Sequence, residues 1–247
     1  MIELDHLVKK FGNLVAVNDI SLKVKRGEFF AVLGPNAAGK TTTIKILAGL
    51  IKPTDGTARV AGFDVQTEPL EVRRRLAYVP DFPFLYDKLT PWEFIRFTGQ
   101  IFRMEEDRMA ANARALVERF GLIPYLQKSI ESLSHGTKQR LAIVSALLHD
   151  PEVFVIDEPM VGLDPHHVRV VKDILKERSR AGMTVFLSTH QLSVAEEIAD
   201  RIGIIHRGRL VAVGTREELR RQSGAHGALE DSFLALTAQE ANGGSNG

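Results

Sequence analysis

The sequence contains no cysteine, which excludes disulfides, thiolate metal sites and thiol nucleophiles and fits a reducing compartment. Neither sign of charge is in excess, because 32 Lys and Arg residues face 31 Asp and Glu residues and leave a net charge of +1. A net charge this close to zero does not attract nucleic acid to the chain as a whole. A nucleic-acid partner would need a local basic patch, and we expect none.

Long apolar runs are also missing. No stretch approaches the roughly 18 consecutive apolar residues of a transmembrane helix, and Met1 to Asp5 carries acidic residues where a signal peptide would carry basic ones. We therefore expect a cytoplasmic chain that does not itself span a membrane. With 247 residues, 44% of them apolar, it can form one large α/β domain with a small subdomain, or two modest domains.

One stretch dominates what is present. An apolar run over residues 29–33 ends at a glycine, and a loop of small residues then leads into a segment with helical apolar spacing. The loop fits the pattern G-x-x-x-x-G-K-[ST] and consists of Gly34, Pro35, Asn36, Ala37, Ala38, Gly39, Lys40, Thr41 and Thr42. Its backbone N–H groups can wrap a polyphosphate, Lys40 can reach the β- and γ-phosphates, and Thr41 can ligate Mg²⁺. The stretch predicts a nucleoside triphosphate site; the alternative is a glycine turn that binds nothing.

The rest of the chain alternates strands with helices, except in one region. Two-residue apolar alternation predicts strands up to residue 33, some of them antiparallel. A capping box at Thr90 and two further helices, about 105–120 and 136–150, follow one another without a strand and predict a helical subdomain inserted at about 82–150. Later elements are predicted as a strand at 152–158, a helix at 165–182, strands at 183–187, 202–205 and 208–214, a capping box at 193–196, helices from 215 and over 229–238, and a flexible tail at 241–247.

Seven aromatic residues fall between Phe82 and Phe102. They can form the core of the helical subdomain or a surface on which a partner docks, and the sequence leaves both open. The segment Phe82-Pro83-Phe84-Leu85 lies on a predicted loop, so it is the better candidate for exposure.

Two adjacent acids, Asp157 and Glu158, end the apolar strand at 152–158. In a parallel sheet the carboxyl ends of the strands meet at one edge, which brings these carboxylates beside the phosphate loop. Asp157 can then hold Mg²⁺, directly or through water, and Glu158 can polarise the attacking water.

Further segments carry a specific resemblance. LSHGTKQR at residues 133–140 resembles the LSGGQ-type signature of ATP-binding cassette (ABC) proteins, GLDP at 162–165 resembles their D-loop, and STH at 188–190 resembles their switch-histidine segment. Phe11 stands where that family stacks an aromatic ring on adenine. The resemblance covers residues 1–222. It implies an α/β P-loop NTPase (RecA-like) fold with a parallel-sheet core, an N-terminal antiparallel β subdomain and an inserted helical subdomain; residues 223–247 would add a short helix and a flexible tail.

The resemblance also implies an ATPase with a shared site. Two cassettes would associate head to tail, each ATP with its Mg²⁺ lying between the phosphate loop of one chain and the signature of the other. Ser134 and Gly136 would then face the γ-phosphate from a helix N-terminus. Lys40 would hold the phosphates, Glu158 would be the general base, and His190 would contact the γ-phosphate and support the attacking water.

Four positions depart from the family pattern. Asp81 stands where many cassettes carry the Q-loop glutamine; an acid can still meet Mg²⁺ or its water but lacks the amide donor. His135 and Thr137 replace the first glycine and the glutamine of the signature, and Ala37 replaces a common loop glycine. Because a side chain at positive φ costs about 1–2 kcal/mol, we expect ordinary backbone geometry at His135 and Ala37.

Residues 78–90, with an acid at 81, and residues 229–237 resemble the ATPase subunits of ABC-2-type exporters. Members of that group work with a separate membrane subunit, so the expected partners are a transmembrane permease and a second ABC subunit, either the same chain or a paralogue. The chain would then lie on the cytoplasmic face of the cell membrane. Two alternatives are a non-transport cassette acting on ribosomes or DNA and a nucleotide-binding regulatory module without turnover.

Overall fold

The computed structural model describes residues 1–224 and 229–243 of the chain. The strands in chain order are β1 Ile2–Phe11, β2 Leu14–Val24, β3 Phe29–Leu33, β4 Asp55–Val60, β5 Phe63–Asp64, β6 Leu76–Val79, β7 Val153–Asp157, β8 Thr184–Thr189, β9 Arg201–His206 and β10 Arg209–Gly214. The α-helices are α1 Lys40–Leu47, α2 Pro69–Arg75, α3 Pro91–Ile101, α4 Glu106–Arg119, α5 His135–Leu147, α6 Pro165–Arg180, α7 Leu192–Ile198, α8 Arg216–Ser223 and α9 Leu229–Gly243.

A six-stranded sheet forms the centre of the fold, in the order β10-β9-β3-β8-β7-β6. The strands from β9 to β6 are parallel, and β10 adds antiparallel to β9 as the second half of the predicted hairpin. Every residue of β3, β7 and β8 is buried, as expected for parallel strands covered on both faces. Because β8 lies between β3 and β7, the carboxyl ends of these three strands meet at one place.

A second sheet, β2-β1-β4-β5, is antiparallel throughout. Its inward residues, such as Leu7 and Ile20, share one hydrophobic core with Phe30 and Val32 of the central sheet. The predicted combination of a parallel-sheet core with N-terminal antiparallel strands is confirmed.

Helices α3, α4 and α5 lie between the adjacent strands β6 and β7, in the segment where the sequence predicts an inserted helical subdomain. The capping box is present, because the Thr90 side chain accepts a hydrogen bond from the Glu93 amide at 3.2 Å while the Glu93 carboxylate accepts one from the Thr90 amide at 2.8 Å. Phe82 and Phe84, on the loop after β6, are 70% and 88% exposed, as the loop assignment led us to expect.

Two predicted features are wrong. Helix α7 has Gln191 as its N-cap and contains Ser193, so no capping box forms there. The hydroxyl of Thr189 at the end of β8 accepts a hydrogen bond from the Gln191 amide at 3.0 Å, and the chain turns into the helix before Ser193 is reached. Helix α9 continues to Gly243, past the predicted end at residue 238, while residues 244–247 of the predicted tail lie outside the described residues.

No helix within residues 1–224 and 229–243 is long and apolar enough to cross a bilayer.

Candidate active site

The phosphate loop joins β3 to α1 and is held from both sides. A Cβ atom added to Gly34 would lie 2.3 Å from the carbonyl oxygen of Ile205 in β9, and one added to Gly39 would lie 2.5 Å from the carbonyl oxygen of Ala16 in β2. Gly39 also has a left-handed φ of 108°. Only glycine fits these two close approaches, which fix the path of the loop.

Ala37 has a left-handed φ of 62°, so the prediction of ordinary geometry at this position is wrong. Successive N–H groups point to one side of a chain when right-handed and left-handed residues alternate, and such a concave array binds anions. The loop therefore needs a left-handed residue here whether or not that residue is glycine. With alanine the conformation costs about 1–2 kcal/mol.

Lys40 is the first residue of α1, and its side chain folds back over the loop. Its Nζ donates to the carbonyl oxygens of Gly34 at 2.6 Å and Pro35 at 3.1 Å. The residue is buried, and this burial lowers its pKa, an effect that the charges of Glu158 and Asp157 oppose. The ammonium group is thus held against the first two residues of the loop, where a phosphate chain bound by the loop would meet it.

Asp157 ends β7 and is 1% exposed. Its Oδ2 accepts a hydrogen bond from the Thr41 hydroxyl of α1 at 2.7 Å, and its Oδ1 accepts one from the Ser188 hydroxyl of β8. The parallel register places Asp157 opposite Ser188. The three strands that meet here therefore bring the carboxylate to the first turn of the phosphate-loop helix.

Glu158 follows Asp157 with a left-handed φ of 47°. Its backbone amide donates to the Ser188 carbonyl at 3.0 Å, which holds the turn in place. Its Oε1 lies 2.9 Å from Nδ1 of His190, and its Oε2 accepts a hydrogen bond from the Thr189 hydroxyl at 3.3 Å. A carboxylate held by two donors keeps a defined orientation, and the structure brings Glu158 and His190 together.

The oxygen atoms of this site suit Mg²⁺ with a nucleotide. The Thr41 hydroxyl and the Asp157 carboxylate are hard ligands, and Mg²⁺ usually takes one or two such protein groups together with phosphate oxygens and water. Within the described residues no cluster of three or more His, Cys, Asp or Glu side chains could hold a metal by itself. The donor set thus fits an ion shared with phosphates better than a protein-only cage.

The predicted signature residues lie at the start of α5. Ser134 is the N-cap and accepts a hydrogen bond from the Thr137 amide at 3.3 Å. His135 begins the helix without a positive φ, as expected. A Cβ on Gly136 would lie 2.5 Å from the carbonyl oxygen of Gly162. Across the described part of the chain, no hydrogen bond or ion pair joins this helix start to the phosphate loop.

Asp81 and Phe11 lie apart from these contacts. The Asp81 carboxylate is exposed and accepts a hydrogen bond from the Phe82 amide at 2.9 Å. Burial raises the pKa of the nearby Tyr78 hydroxyl, and the charges of Asp157 and Asp81 raise it further. Phe11, at the end of β1, is 49% exposed and lies beneath Lys9, whose Nζ is 5.0 Å from the ring centroid. The proposed roles of both residues remain predictions.

Sequence reasoning missed the hydroxyls of Ser188 and Thr189 as partners of the two acids. Both residues were noted only as neighbours of His190. Polar residues at the end of an apolar strand are a signal, but their pairing with Asp157 and Glu158 depends on β8 lying next to β7, and strand order is not visible in a single sequence.

The chain is similar in sequence to known protein families and to known proteins. A family profile described as "ABC transporter" matches residues 17–161, and a second profile, described as an AAA domain, matches residues 128–196. The linearmycin resistance ATP-binding protein LnrL of Bacillus subtilis (strain 168) is 34% identical over 242 residues, which cover 98% of this chain and 76% of LnrL.

Two solved structures resemble the fold closely. One, described as the ATP-binding subunit of an ABC transporter, superposes with a TM-score of 0.92 at 34% identity and covers 96% of this chain and 99% of its own. The other is a dimeric, post-hydrolysis state of the ATP-binding cassette MJ0796 bound to ADP and Pi, with a TM-score of 0.77 at 26% identity, covering 87% of this chain and 98% of its own.

Proposed function

Because the chain belongs to the ABC transporter family, we propose that it is the ATP-hydrolysing subunit of a membrane exporter and works as a pair of ATP-bound cassettes. The observation that carries this proposal is the meeting of Glu158, His190, Asp157 and Thr41 beside the phosphate loop. Such a loop alone would serve for nucleotide binding. A hydrogen-bonded carboxylate–imidazole pair next to it supplies what hydrolysis needs.

The phosphate loop would bind the triphosphate of ATP through its backbone N–H array, to which the left-handed Ala37 and Gly39 contribute. Lys40 would exchange its bonds to the carbonyl oxygens of Gly34 and Pro35 for bonds to phosphate oxygens. Thr41 and Asp157 would hold Mg²⁺, which when bound neutralises charge that develops on the phosphates. Asp81 is proposed to meet the same ion or its water.

Glu158 would act as general base on the attacking water. The proton of the water passes to a carboxylate oxygen, and the N–H of His190 and the hydroxyl of Thr189 keep that carboxylate oriented. His190 also faces solvent with 54% of its side chain, so it can contact the γ-phosphate once the nucleotide is bound. Loss of Glu158 would therefore stop turnover while leaving the phosphate loop intact.

The signature residues would serve the second cassette. Ser134 and Gly136 open the 13-residue helix α5, whose N-terminus favours an anion. They make no hydrogen bond to the phosphate loop of their own chain in the described residues, and the structurally similar cassette MJ0796 has been solved as a dimer with ADP and Pi. A head-to-tail pair, formed with a second copy or a paralogue, would bring this helix start to the partner's γ-phosphate.

The proposed membrane subunit would dock at a cleft beside the exposed aromatic loop. The cleft has a volume of about 530 Å³ and is lined by Phe82, Phe84 and Phe102. A neighbouring cleft of about 760 Å³ shares Phe102 with it and is lined by one acid, Glu105, and by four arginines, Arg73, Arg74, Arg103 and Arg108. Two of these arginines pair with carboxylates, Arg74 with Glu71 and Arg108 with Asp150, so the basic excess of the lining comes from Arg73 and Arg103. Apolar and basic lining together suit an amphipathic cytoplasmic helix with an acidic face. This docking would place the chain on the cytoplasmic face of the membrane.

Phosphate release from Mg-ATP tests the enzymatic part. The wild-type chain should turn over ATP, and Lys40→Ala should abolish turnover and greatly weaken ATP binding. Lys45→Ala, an exposed lysine one turn further along α1, should behave as wild type and is the matched control. Near-normal turnover by Lys40→Ala would contradict the assignment of the loop.

Native purification tests the transport part. The chain should co-purify with a multi-helix membrane protein, and Phe84→Asp, which changes a side chain that is 88% exposed, should release it without changing basal phosphate release. Recovery with ribosomes or DNA, and without a membrane protein, would overturn the exporter proposal in favour of a non-transport cassette. Of these two functions, the exporter is supported by the similarity to LnrL, whose name records resistance to linearmycin.

A further inference from the structure

Arg140, in the signature helix α5, is a buried cation without a carboxylate at ion-pair distance in the described part of the chain. It is 6% exposed. Its Nη1 donates to the carbonyl oxygen of Phe120 at 2.6 Å, and its Nη2 donates to the Thr137 hydroxyl at 3.1 Å. The remaining contact of Nη1 is His167 Nε2, at 2.7 Å. Its Nε also donates to the Gly136 carbonyl at 3.4 Å, and its Cζ lies 5.8 Å from the centroid of the Tyr125 ring. An unpaired buried charge is costly, and among these contacts His167 is the one that leads on to a carboxylate.

The two partners of His167 fix its proton. Arginine cannot accept a hydrogen bond, so Nε2 of His167 must accept one from Arg140. The carboxylate of Asp164 accepts only, and it lies 2.6 Å from Nδ1, so Nδ1 must carry the hydrogen. The ring is therefore a neutral imidazole that connects the Asp164 carboxylate with the Arg140 guanidinium. The hydrogen bond from His167 is the main cause that lowers the pKa of Asp164 to about 2.

The chain of hydrogen bonds runs from one functional segment to another. Asp164 belongs to the D-loop segment 162–165 and is the N-cap of α6. At the other end Arg140 holds the Thr137 hydroxyl, which lies 2.9 Å from the Ser134 hydroxyl. The path Asp164–His167–Arg140–Thr137–Ser134, here called the imidazole relay, thus joins the D-loop to the signature serine within one chain.

Packing brings the same two segments together. A Cβ on Gly136 would lie 2.5 Å from the carbonyl oxygen of Gly162, and a Cβ on Gly162 would lie 2.4 Å from Cδ2 of His135. The glycine contact allows the backbones to approach, but van der Waals contact alone does not fix their relative rotation. The relay supplies directed bonds across the same junction.

We propose that His167 is a positioning residue that holds the D-loop and the start of α5 as one rigid surface for the second cassette. The inference rests on the proposed function, because only a paired cassette uses this surface. The surface that His167 holds in place would contact the nucleotide bound to the second cassette, and His167 makes no contact with the phosphate loop of its own chain in the described residues. His167 should therefore affect ATP-driven pairing without affecting nucleotide affinity of the single chain.

Two substitutions separate the arms of the relay. His167→Asn keeps a donor at the position of Nδ1 for Asp164 but is too short to reach Arg140, so it breaks the bond that crosses to α5. His167→Gln places an amide oxygen near the position of Nε2 and keeps that crossing bond. It loses only the side-chain bond to Asp164, which still accepts a hydrogen bond from the backbone amide of residue 167 at 3.0 Å. His166→Asn is the control, since His166 is an exposed neighbour. Each change is combined with Glu158→Gln in the full-length chain to slow turnover.

The readout is the ATP concentration that gives half-maximal dimer. His167→Asn should raise it about tenfold, the effect of one hydrogen bond to a charged group, while His167→Gln and the control stay within about threefold. ADP affinity of the monomers should agree among all variants. His167→Asn leaves a buried N–H of Arg140 without its acceptor and should lower the melting temperature, so dimerisation is measured at a temperature at which every variant is fully folded. Equal dimerisation by the Asn and Gln variants would overturn the relay.

A spectroscopic measurement judges the relay independently of pairing. Nitrogen-15 NMR of histidine-labelled wild-type chain, assigned with His167→Gln, should show His167 protonated at Nδ1 and not at Nε2 at neutral pH. A proton on Nε2 would overturn the relay. If the NMR result is as expected but the chain with Glu158→Gln alone never dimerises with ATP, the proposed function fails and with it the positioning role, while the hydrogen bonds themselves stand.

Discussion

Replacing Ala37 by glycine should stabilise the protein, although the residue lies in the phosphate loop. At a φ of 62° the alanine costs about 1–2 kcal/mol, and glycine removes that cost. Glycine also gives the unfolded chain more freedom, which offsets about 0.4–1 kcal/mol. The net gain of about 0.5–1 kcal/mol should raise the melting temperature by about 1–4 °C in a chain of this length.

The neighbouring residue is the control. Ala38 is 3% exposed and has a negative φ, so Ala38→Gly removes a buried methyl and adds freedom to the unfolded chain. These two effects together should destabilise the fold by about 1–2 kcal/mol and lower the melting temperature by about 2–8 °C. Thermal unfolding without nucleotide measures both variants. If both glycines lowered the melting temperature equally, the left-handed geometry at Ala37 would be refuted.

Two further predictions concern buried contacts. Gly34→Ala should destabilise the fold by about 1–3 kcal/mol and abolish ATP binding, because its methyl would lie 2.3 Å from the Ile205 carbonyl; unchanged binding in calorimetry would contradict the loop path. Burial lowers the pKa of His149 from 6.5 to about 4, and its ring stacks on Phe102 at 3.6 Å. Between those pH values the unfolded chain binds a proton that the folded chain does not. The free energy of unfolding should therefore decrease by on the order of 3 kcal/mol as the pH is lowered from 7 to 4. Urea titrations at pH 7 and pH 4 should show this loss in the wild type and its reduction in His149→Phe, and an equal loss in both would contradict the assignment.

Local sequence patterns predict a feature of the structure where that feature depends only on residues close together in the chain. The capping box at Thr90 depends on residues three apart, and the strand–loop–helix around Lys40 on one continuous segment. Both could be predicted from the sequence. Ser193 shows the limit of this reasoning, because its pattern matched a capping box while the Thr189 hydroxyl, at the end of a buried strand, set the start of the helix.

Contacts that depend on strand order or backbone conformation could not be predicted. Ser188 meets Asp157 because β8 lies beside β7, and nothing in either strand specifies that neighbour. Ala37 adopts a left-handed conformation as the third residue of a tight turn, which the Ala38 amide closes by donating to the Pro35 carbonyl at 3.2 Å, and this turn outweighs the preference of one alanine. His167 lies two residues after the D-loop pattern, and its role depends on where Arg140 is buried.

The most direct test of the account is the association state of Glu158→Gln in saturating Mg-ATP, measured by size-exclusion chromatography with light scattering. We expect a stable dimer that dissociates when ATP is removed, because the signature of each chain completes the site of the other while the general base is absent. Adding Lys40→Ala to the same chain should leave it monomeric. A monomer of Glu158→Gln in saturating Mg-ATP would contradict the shared site.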